Sequence, residues 1–415
     1  SSSRTQAAVE LAGLTDDGTS YELLTWVGLR DLALRQNFTG FLRDPNGDLE
    51  RQAHASLFVG ARGSVRKRVH LLHPADRIEL GFFGRSDRIT QSQRQLGLDG
   101  NVTRTSVDAR VAATDVAGWF GATLHPFARL TFRGGARVDA LAYRVEDALG
   151  AGATRTSHGF VTSPRITADV RLSDRVRTVA SYGEGFRSPQ ARSLSNGEPT
   201  PFTRVRAVEL GARWDATFAT ASAAAFRTWL DDDLVFDHVT TRNERVPATR
   251  RTGLALDVSV TPRPSFVGAL GITYTHAVFR ASDAERRAGD LVPYAPQLVG
   301  RGDLAWLPSF GTVGRHRPHP LTGRLGLGGQ LLAGRPLPYG ERGHDAFVLD
   351  GSLGFRGGPI ELRLDVWNLL GAAWFDGEFV YPSRWDRAAG AALVPQRHVT
   401  VGAPRTALFS LICHL

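Results

Sequence analysis

The chain has 415 residues and a net charge of +9, and Lys67 is its one lysine among 50 basic residues. Its arginines are spread along the whole length instead of gathered in a patch, which argues against a nucleic-acid surface. The single cysteine, Cys413, excludes an internal disulfide and any cysteine-based zinc site, and no apolar run of about 18–20 residues could cross a membrane as a helix.

No signal peptide is visible at the N-terminus. Methionine is absent even at position 1, so we expect a processed chain or one cut from something longer. A closed β-barrel is the remaining way for such a chain to live in a membrane.

Helical periodicity is nearly absent. Alternation of apolar and polar residues predicts strands near 5–14, 19–29, 32–42, 52–65, 76–90, 107–123, 127–145, 160–172 and 175–186. It continues over 204–214, 217–236, 248–261, 265–279, 292–306, 321–333, 345–356, 359–370 and 402–414. In "RLTFRGGARVDALAYRV", Leu130, Phe132, Ala136, Val138, Ala140 and Ala142 oppose Thr131, Arg133, Arg137, Asp139 and Tyr143. "VELGARWDA" sets Val208 and Leu210 against Glu209, Arg213 and Asp215. "PIELRLDVW" sets Ile360, Leu362 and Leu364 against Glu361, Arg363 and Asp365. The total is roughly eighteen strands, each about as long as a tilted membrane strand must be.

The connections alternate in length. Turns such as "RD" 30–31, "HPF" 125–127, "SDR" 173–175, "PRP" 262–264 and "RGG" 356–358 are short. Loops 91–106, 146–159, 187–203, 280–291, 334–344 and 371–401 are long and polar. Short on one rim and long on the other is the asymmetry of an outer-membrane barrel. Connections 66–75 and 308–320 fit poorly, since both fall on the rim that should be short. The expected fold is therefore all-β, a large antiparallel transmembrane β-barrel with charged side chains facing a wet interior.

"SYGEGFRSPQARSL" at 181–194 is where one strand enters a long loop, with Tyr182 and Phe186 on one face at the level of an aromatic girdle. Followed by "VRAVELGARWDA", it resembles the mid-barrel signature of TonB-dependent outer-membrane receptors. In the same order, "GGARVDALAY", "LVPYAPQLVGRGDLAW", "LRLDVWNLLGAAWFD" and "GAPRTALFSLICHL" are similar to four further barrel strands of that family. The resemblance covers about 115–415, whereas 1–114 match by alternation alone.

The resemblance implies a receptor in the outer membrane of a Gram-negative bacterium. Such a receptor takes up a scarce solute, a ferric siderophore, cobalamin or similar, and is energised by the TonB protein acting on a plug domain. Family barrels have about 22 strands, and no plug is visible here, so residues 1–415 read as a barrel domain truncated at its N-terminus. The family usually ends on an aromatic residue, whereas this chain ends on Leu415. A passive pore or ligand-binding barrel that works without a plug is the alternative. No nucleophile and base pair stands out, so an enzyme is not expected, and no cofactor or metal site is implied.

Two outer loops are the expected ligand contacts: Arg187, Gln190 and Arg192 in one, Trp374, Phe375, Tyr381 and Trp385 in the other. Arg133, Arg137, Asp139, Glu209, Arg213, Arg363 and Asp365 are expected to line the lumen as a wall network that pairs across strands. The cluster "LDDDLVFDH" reads as a solvated rim, because adjacent strand residues point to opposite faces and cannot all share one cation.

Overall fold

The computed structural model describes residues 1–37, 44, 47–149, 153–187, 202–237, 242–314, 318–383 and 394–414. Among them the strands in chain order are β1 (Ser2–Leu14), β2 (Ser20–Gln36), β3 (Glu50–Arg68), β4 (Arg77–Leu96), β5 (Val102–Phe127), β6 (Leu130–Asp147) and β7 (Ala153–Arg171). Then come β8 (Val176–Arg187), β9 (Thr203–Asp215), β10 (Ala219–Leu230), β11 (Asp233–Asp237), β12 (Arg242–Val246), β13 (Thr249–Arg263), β14 (Phe266–Phe279) and β15 (Leu298–Trp306). The last are β16 (Ser309–Val313), β17 (His319–Ala333), β18 (Ala346–Gly357), β19 (Ile360–Trp367), β20 (Phe375–Ser383), β21 (Val394–Val401) and β22 (Thr406–Cys413).

Eighteen of these strands make one sheet, while β11–β12 and β20–β21 stand apart as two hairpins. The large sheet is an antiparallel meander in which neighbours in sequence are neighbours in space. β10 pairs with β13 across the first hairpin, and β19 pairs with β22 across the second. β15 and β16 both lie along β17, so they act as one strand with a break at 307–308.

The burial pattern is the reverse of a water-soluble sheet. On β6 the apolar Val138 is 48% exposed, while Asp139 on the opposite face is fully buried. Leu80, Phe82, Leu210, Leu254, Leu325 and Leu362 continue the exposed apolar face on other strands. A wall that turns greasy residues to one face and its charged residues to the other is built for lipid outside and polar groups inside. Phe127, Trp214, Phe218, Trp306, Phe310 and Phe355 stand exposed beside the short turns. Phe160, Tyr274 and Phe347 do so toward the long loops. These are the two interfacial belts such a wall needs.

Several expectations change. The turn at Arg30–Asp31 does not exist: β2 runs unbroken and pairs with β3 throughout, with Arg30 opposite Ser56 and Asp31 opposite Ala55. Neither residue forces a turn, and the strand goes on past the charged pair with Leu32 and Leu34 exposed. The segment expected as one strand over 217–236 divides at Asp231–Asp232 into β10 and β11. The last expected strand shortens to β22, while Val394–Val401 turns back as half of the β20–β21 hairpin.

The ill-fitting connection after β3 also gains a reason. Asp76, fully buried, accepts the Leu72 and His73 N–H groups at 2.8 and 2.9 Å on one oxygen. Its other oxygen takes the His125 N–H at 2.8 Å and lies 3.1 Å from the His125 ring. Burial alone would raise this carboxyl, but the hydrogen bonds to its ionised form hold it well below the usual carboxylate range. The connection is a compact knot tied to the end of β5, so the short-turn rim stays short in space.

Candidate functional site

Two polar regions could meet a solute. The first is the inner face of the wall. Side chains two apart on a strand share a face, and the chain uses that spacing repeatedly for Arg-x-Asp pairs. Arg85 meets Asp87 at 2.7 Å, Arg137 meets Asp139 at 2.6 Å, and Arg213 meets Asp215 at 2.8 Å. Arg301–Asp303 and Arg363–Asp365 are each 2.8 Å apart. Arg137 also lies over the rings of Phe83 and Trp119, at 5.0 and 5.8 Å from their centres. A glycine on the facing strand makes room for one of these forks: a Cβ at Gly328 would stand 2.8 Å from Asp303 Oδ1. Arg133 reaches Asp169 at 3.8 Å, and Glu209 is exposed on the face it shares with Arg213.

The second region is the long-loop rim, where ionic contacts join elements far apart in sequence. Asp233, buried at the base of the β11–β12 hairpin, accepts Arg251 at 2.6 Å, Thr249 Oγ1 at 2.8 Å and Arg187 at 3.2 Å. Its neighbours Asp231 and Asp232 pair with Arg206 and Arg245. Glu378 on β20, also buried, takes the His344 N–H and ring, both at 2.7 Å, and Arg397 at 3.2 Å. Arg397 then extends to Glu341 at 3.1 Å. This node fastens the β20–β21 hairpin to the loop between β17 and β18.

The hairpin has its own clasp. The rings of Tyr381 and His398 stack at 3.7 Å and 2°. Burial, with Tyr294 and Asp48 nearby, pushes the Tyr381 hydroxyl up to about 12, and burial pulls the His398 ring below its ordinary value.

Between these fastenings lies a cavity of about 710 Å³, within the range of small-molecule sites. The 280–297 loop and the 334–345 loop form its sides, zipped by Tyr294 N–H to Pro336 O at 2.8 Å and Gln297 N–H to Gly334 O at 3.1 Å. β11, β12 and β20 contribute Val235, Glu244 and Pro382. Tyr294 and Tyr339 line it with φ of 67° and 62°, two of the three non-glycine residues in the left-handed region among those described. Each follows a proline, at the turn position where glycine or asparagine normally stands. Holding a tyrosine there costs of order 1–3 kcal/mol, and such strain gathers at ligand clamps.

With this geometry in place, the sequence model of the family described as TonB dependent receptor-like, beta-barrel matches residues 3–369. The chain belongs to the TonB-dependent receptor β-barrel family. No curated protein matches it by sequence. Solved structures do. The unliganded ferric citrate transporter FecA aligns with a TM-score of 0.75 at 15% identity, over 98% of this chain and 60% of its own. BauA, the ferric preacinetobactin receptor from Acinetobacter baumannii, aligns with a TM-score of 0.74 at 13% identity, over 99% of this chain and 62% of its own. The copper transporter OprC gives 0.74 at 14%, over 99% and 64%. At such identities the likeness is one of fold, and this chain spans 60–64% of the length of these three structures.

In this TonB-dependent receptor barrel, all seven wall residues sit on the polar face of the sheet. Their pairing differs from the expectation: Arg137, Arg213 and Arg363 meet carboxylates on their own strand, and Arg133 alone of the four arginines reaches a neighbouring one. Among the loop residues, Arg187 is held by Asp233 and Asp232 O. Phe375 packs edge-on to His344 at 5.1 Å, Tyr381 is buried on His398, and Trp374 donates to Ala403 O at 3.2 Å. Gln190, Arg192 and Trp385 lie outside the described residues. Phe375 thus ties the hairpin to the 334–345 loop, while Tyr381 packs within its own hairpin.

The sequence reading missed Glu378, His344, Arg397 and the two strained tyrosines. The Glu378 node joins residues 19 and 34 positions apart, which leaves no local pattern. The Pro-Tyr pairs at 293–294 and 338–339 were the one visible sign of the cavity.

Proposed function

We propose that this chain is the membrane-spanning part of an outer-membrane receptor that captures a scarce solute at its long-loop rim and passes it inward under the control of TonB. Ferric siderophores and cobalamin are the cargoes the family resemblance suggests. The observation that carries the reading is the contrast between the rims. The short-turn rim is closed by compact turns and the Asp76 knot, whereas the long-loop rim is braced by buried ionic nodes around a cavity. Loops braced in this way are pre-organised to bind, because less ordering remains to oppose capture. TonB would act through a plug domain seated against the inner wall, whose matched Arg-x-Asp pairs offer polar contacts without a large uncompensated charge.

The test is uptake. The full-length protein is expressed in a Gram-negative host stripped of its own receptors, and labelled ferric siderophores and cobalamin are offered at limiting concentration. Entry of at least one cargo should depend on this protein and vanish when TonB is removed. Equal leakage of unrelated solutes with and without TonB would replace the receptor by a passive pore.

A further inference from the structure

The charges around the long-loop cavity are not all answered by one another. Arg286 is held by Asp283 at 2.7 Å and Glu285 at 3.2 Å, and Glu341 is held by Arg397 at 3.1 Å. Three lining groups are left over. Among the described residues Glu244 makes no ion pair, the Asp290 carboxylate receives one backbone N–H, from Arg287 at 2.8 Å, and the exposed Arg342 guanidinium has no carboxylate partner. Among the described lining residues the remainder is two carboxylates against one guanidinium, an excess of negative charge.

The rest of the lining suits a ring more than a chain. Tyr294 and Tyr339 present aromatic surface, with Tyr339 62% exposed, and Leu337, Pro338 and Pro382 add rigid apolar wall. Phe379 braces Tyr294 from behind, with ring centres 5.4 Å apart. Aromatic faces beside unmatched carboxylates attract cations on two counts, through the ring quadrupole and through plain charge. An anion of the same size would meet repulsion from Glu244 and Asp290, with Arg342 alone in its favour.

We propose that this cavity binds a compact organic cation, an ammonium or quaternary amine carried on an aromatic or alicyclic body. The proposal rests on the reading of the long-loop rim as the place of capture, and it names the charge and shape of the group by which a solute is held there. The carboxylates of Glu244 and Asp290 answer the positive charge, and the two tyrosines receive the ring.

The experiment uses outer-membrane vesicles from cells expressing the full-length protein, with vesicles lacking it as reference. Binding of benzyltrimethylammonium, benzenesulfonate and benzyl alcohol is measured by saturation-transfer NMR. The cation should bind about tenfold or more tightly than the sulfonate, and added salt should weaken it. Glu244→Gln and Asp290→Asn should each weaken cation binding about threefold or more, and Arg342→Gln should strengthen it, since it removes the opposing charge. Tyr339→Ala should weaken the cation and the alcohol alike. Retained heat-modifiable migration shows that each variant still forms its barrel. Sulfonate bound as well as the cation, or charge variants without effect, would overturn the proposal. Should the uptake assay find an anionic cargo captured while the cation does not bind, the cation proposal falls and the receptor stands. Should nothing be taken up, the receptor reading fails, and the cation titration still decides the cavity.

Discussion

The inner wall and the long-loop rim use the same chemistry, arginine against carboxylate, at opposite ranges. On the wall the partners of an Arg-x-Asp pair are two residues apart, on one face of one strand, and mostly half exposed to the interior. At the rim the partners of Asp233 and Glu378 are 16 to 46 residues away, and both carboxylates are buried. A local pair constrains little, because its strand already holds both residues in place. A distant pair decides where a loop goes. The expectation is that the sheet depends less on its charges for its fold than the rim does.

The sharpest way to break this comparison is Glu378→Ala. It leaves His344 and Arg397 facing an apolar gap and removes the link between the β20–β21 hairpin and the 334–345 loop. Breaking a buried ion pair costs about 3–5 kcal/mol, and the exposure of His344 puts this case near about 3 kcal/mol. Hydrogen exchange at the amides of Phe379–Tyr381 should then rise about 100-fold, with the amides of β4–β6 unchanged. Unaltered exchange in the hairpin would mean that the node decorates a loop that other contacts hold.

The same difference in range governs what was legible beforehand. Alternation with a period of two shows directly in "PIELRLDVW" or "VELGARWDA", so strand identity and which residues share a face could be read from one stretch of chain at a time. Arg30–Asp31 shows the limit. Two charges in a row look like a turn, but the backbone pairing of β2 with β3 runs straight through them. The rim was illegible for a different reason. Glu378 finds His344 only because the 334–345 loop folds back over the hairpin, and no local rule carries that information. Tyr381 and Phe375 read from the sequence as ligand contacts on an outer loop, yet their partners, His398 and His344, come from elsewhere in the chain, so packing could not be told from ligand contact.

A second, smaller test sharpens the rim side through pH. Burial holds the His398 ring neutral, with its closed-hairpin pKa below the ordinary value near 6.5. Protonation therefore favours the open hairpin. Stability is complete above about pH 6.5 and declines as the pH falls from there through the lower value of the closed state. Tyr381, pushed up to about 12, stays protonated throughout and contributes no slope. Hairpin amide exchange, corrected for its intrinsic pH dependence, should rise about threefold between pH 7.5 and 5.5. His398→Phe keeps a ring against Tyr381 and should flatten that profile. A profile as steep in the variant would assign the titration to another group.

The smallest expected effect tests the wall. Arg213 and Asp215 are 59% and 38% exposed, so their attraction acts through water and is offset by the entropy of holding two long side chains in one geometry. Arg213→Gln should change the unfolding free energy of the barrel by no more than about 0.5 kcal/mol, measured in urea on protein folded into lipid vesicles. β9 should hold its place, since its backbone bonds to β8 and β10 are untouched. Arg137 gives the internal contrast. Its partner Asp139 is fully buried, and two aromatic rings lie beneath the guanidinium. Arg137→Gln would leave that carboxylate buried without its cation and should cost about 2–3 kcal/mol. If both substitutions prove equally mild, water penetrates the wall more evenly than the burial of Asp139 implies. If both prove severe, the Arg-x-Asp pairs hold the sheet as the distant nodes hold the rim, and the contrast between the two regions disappears.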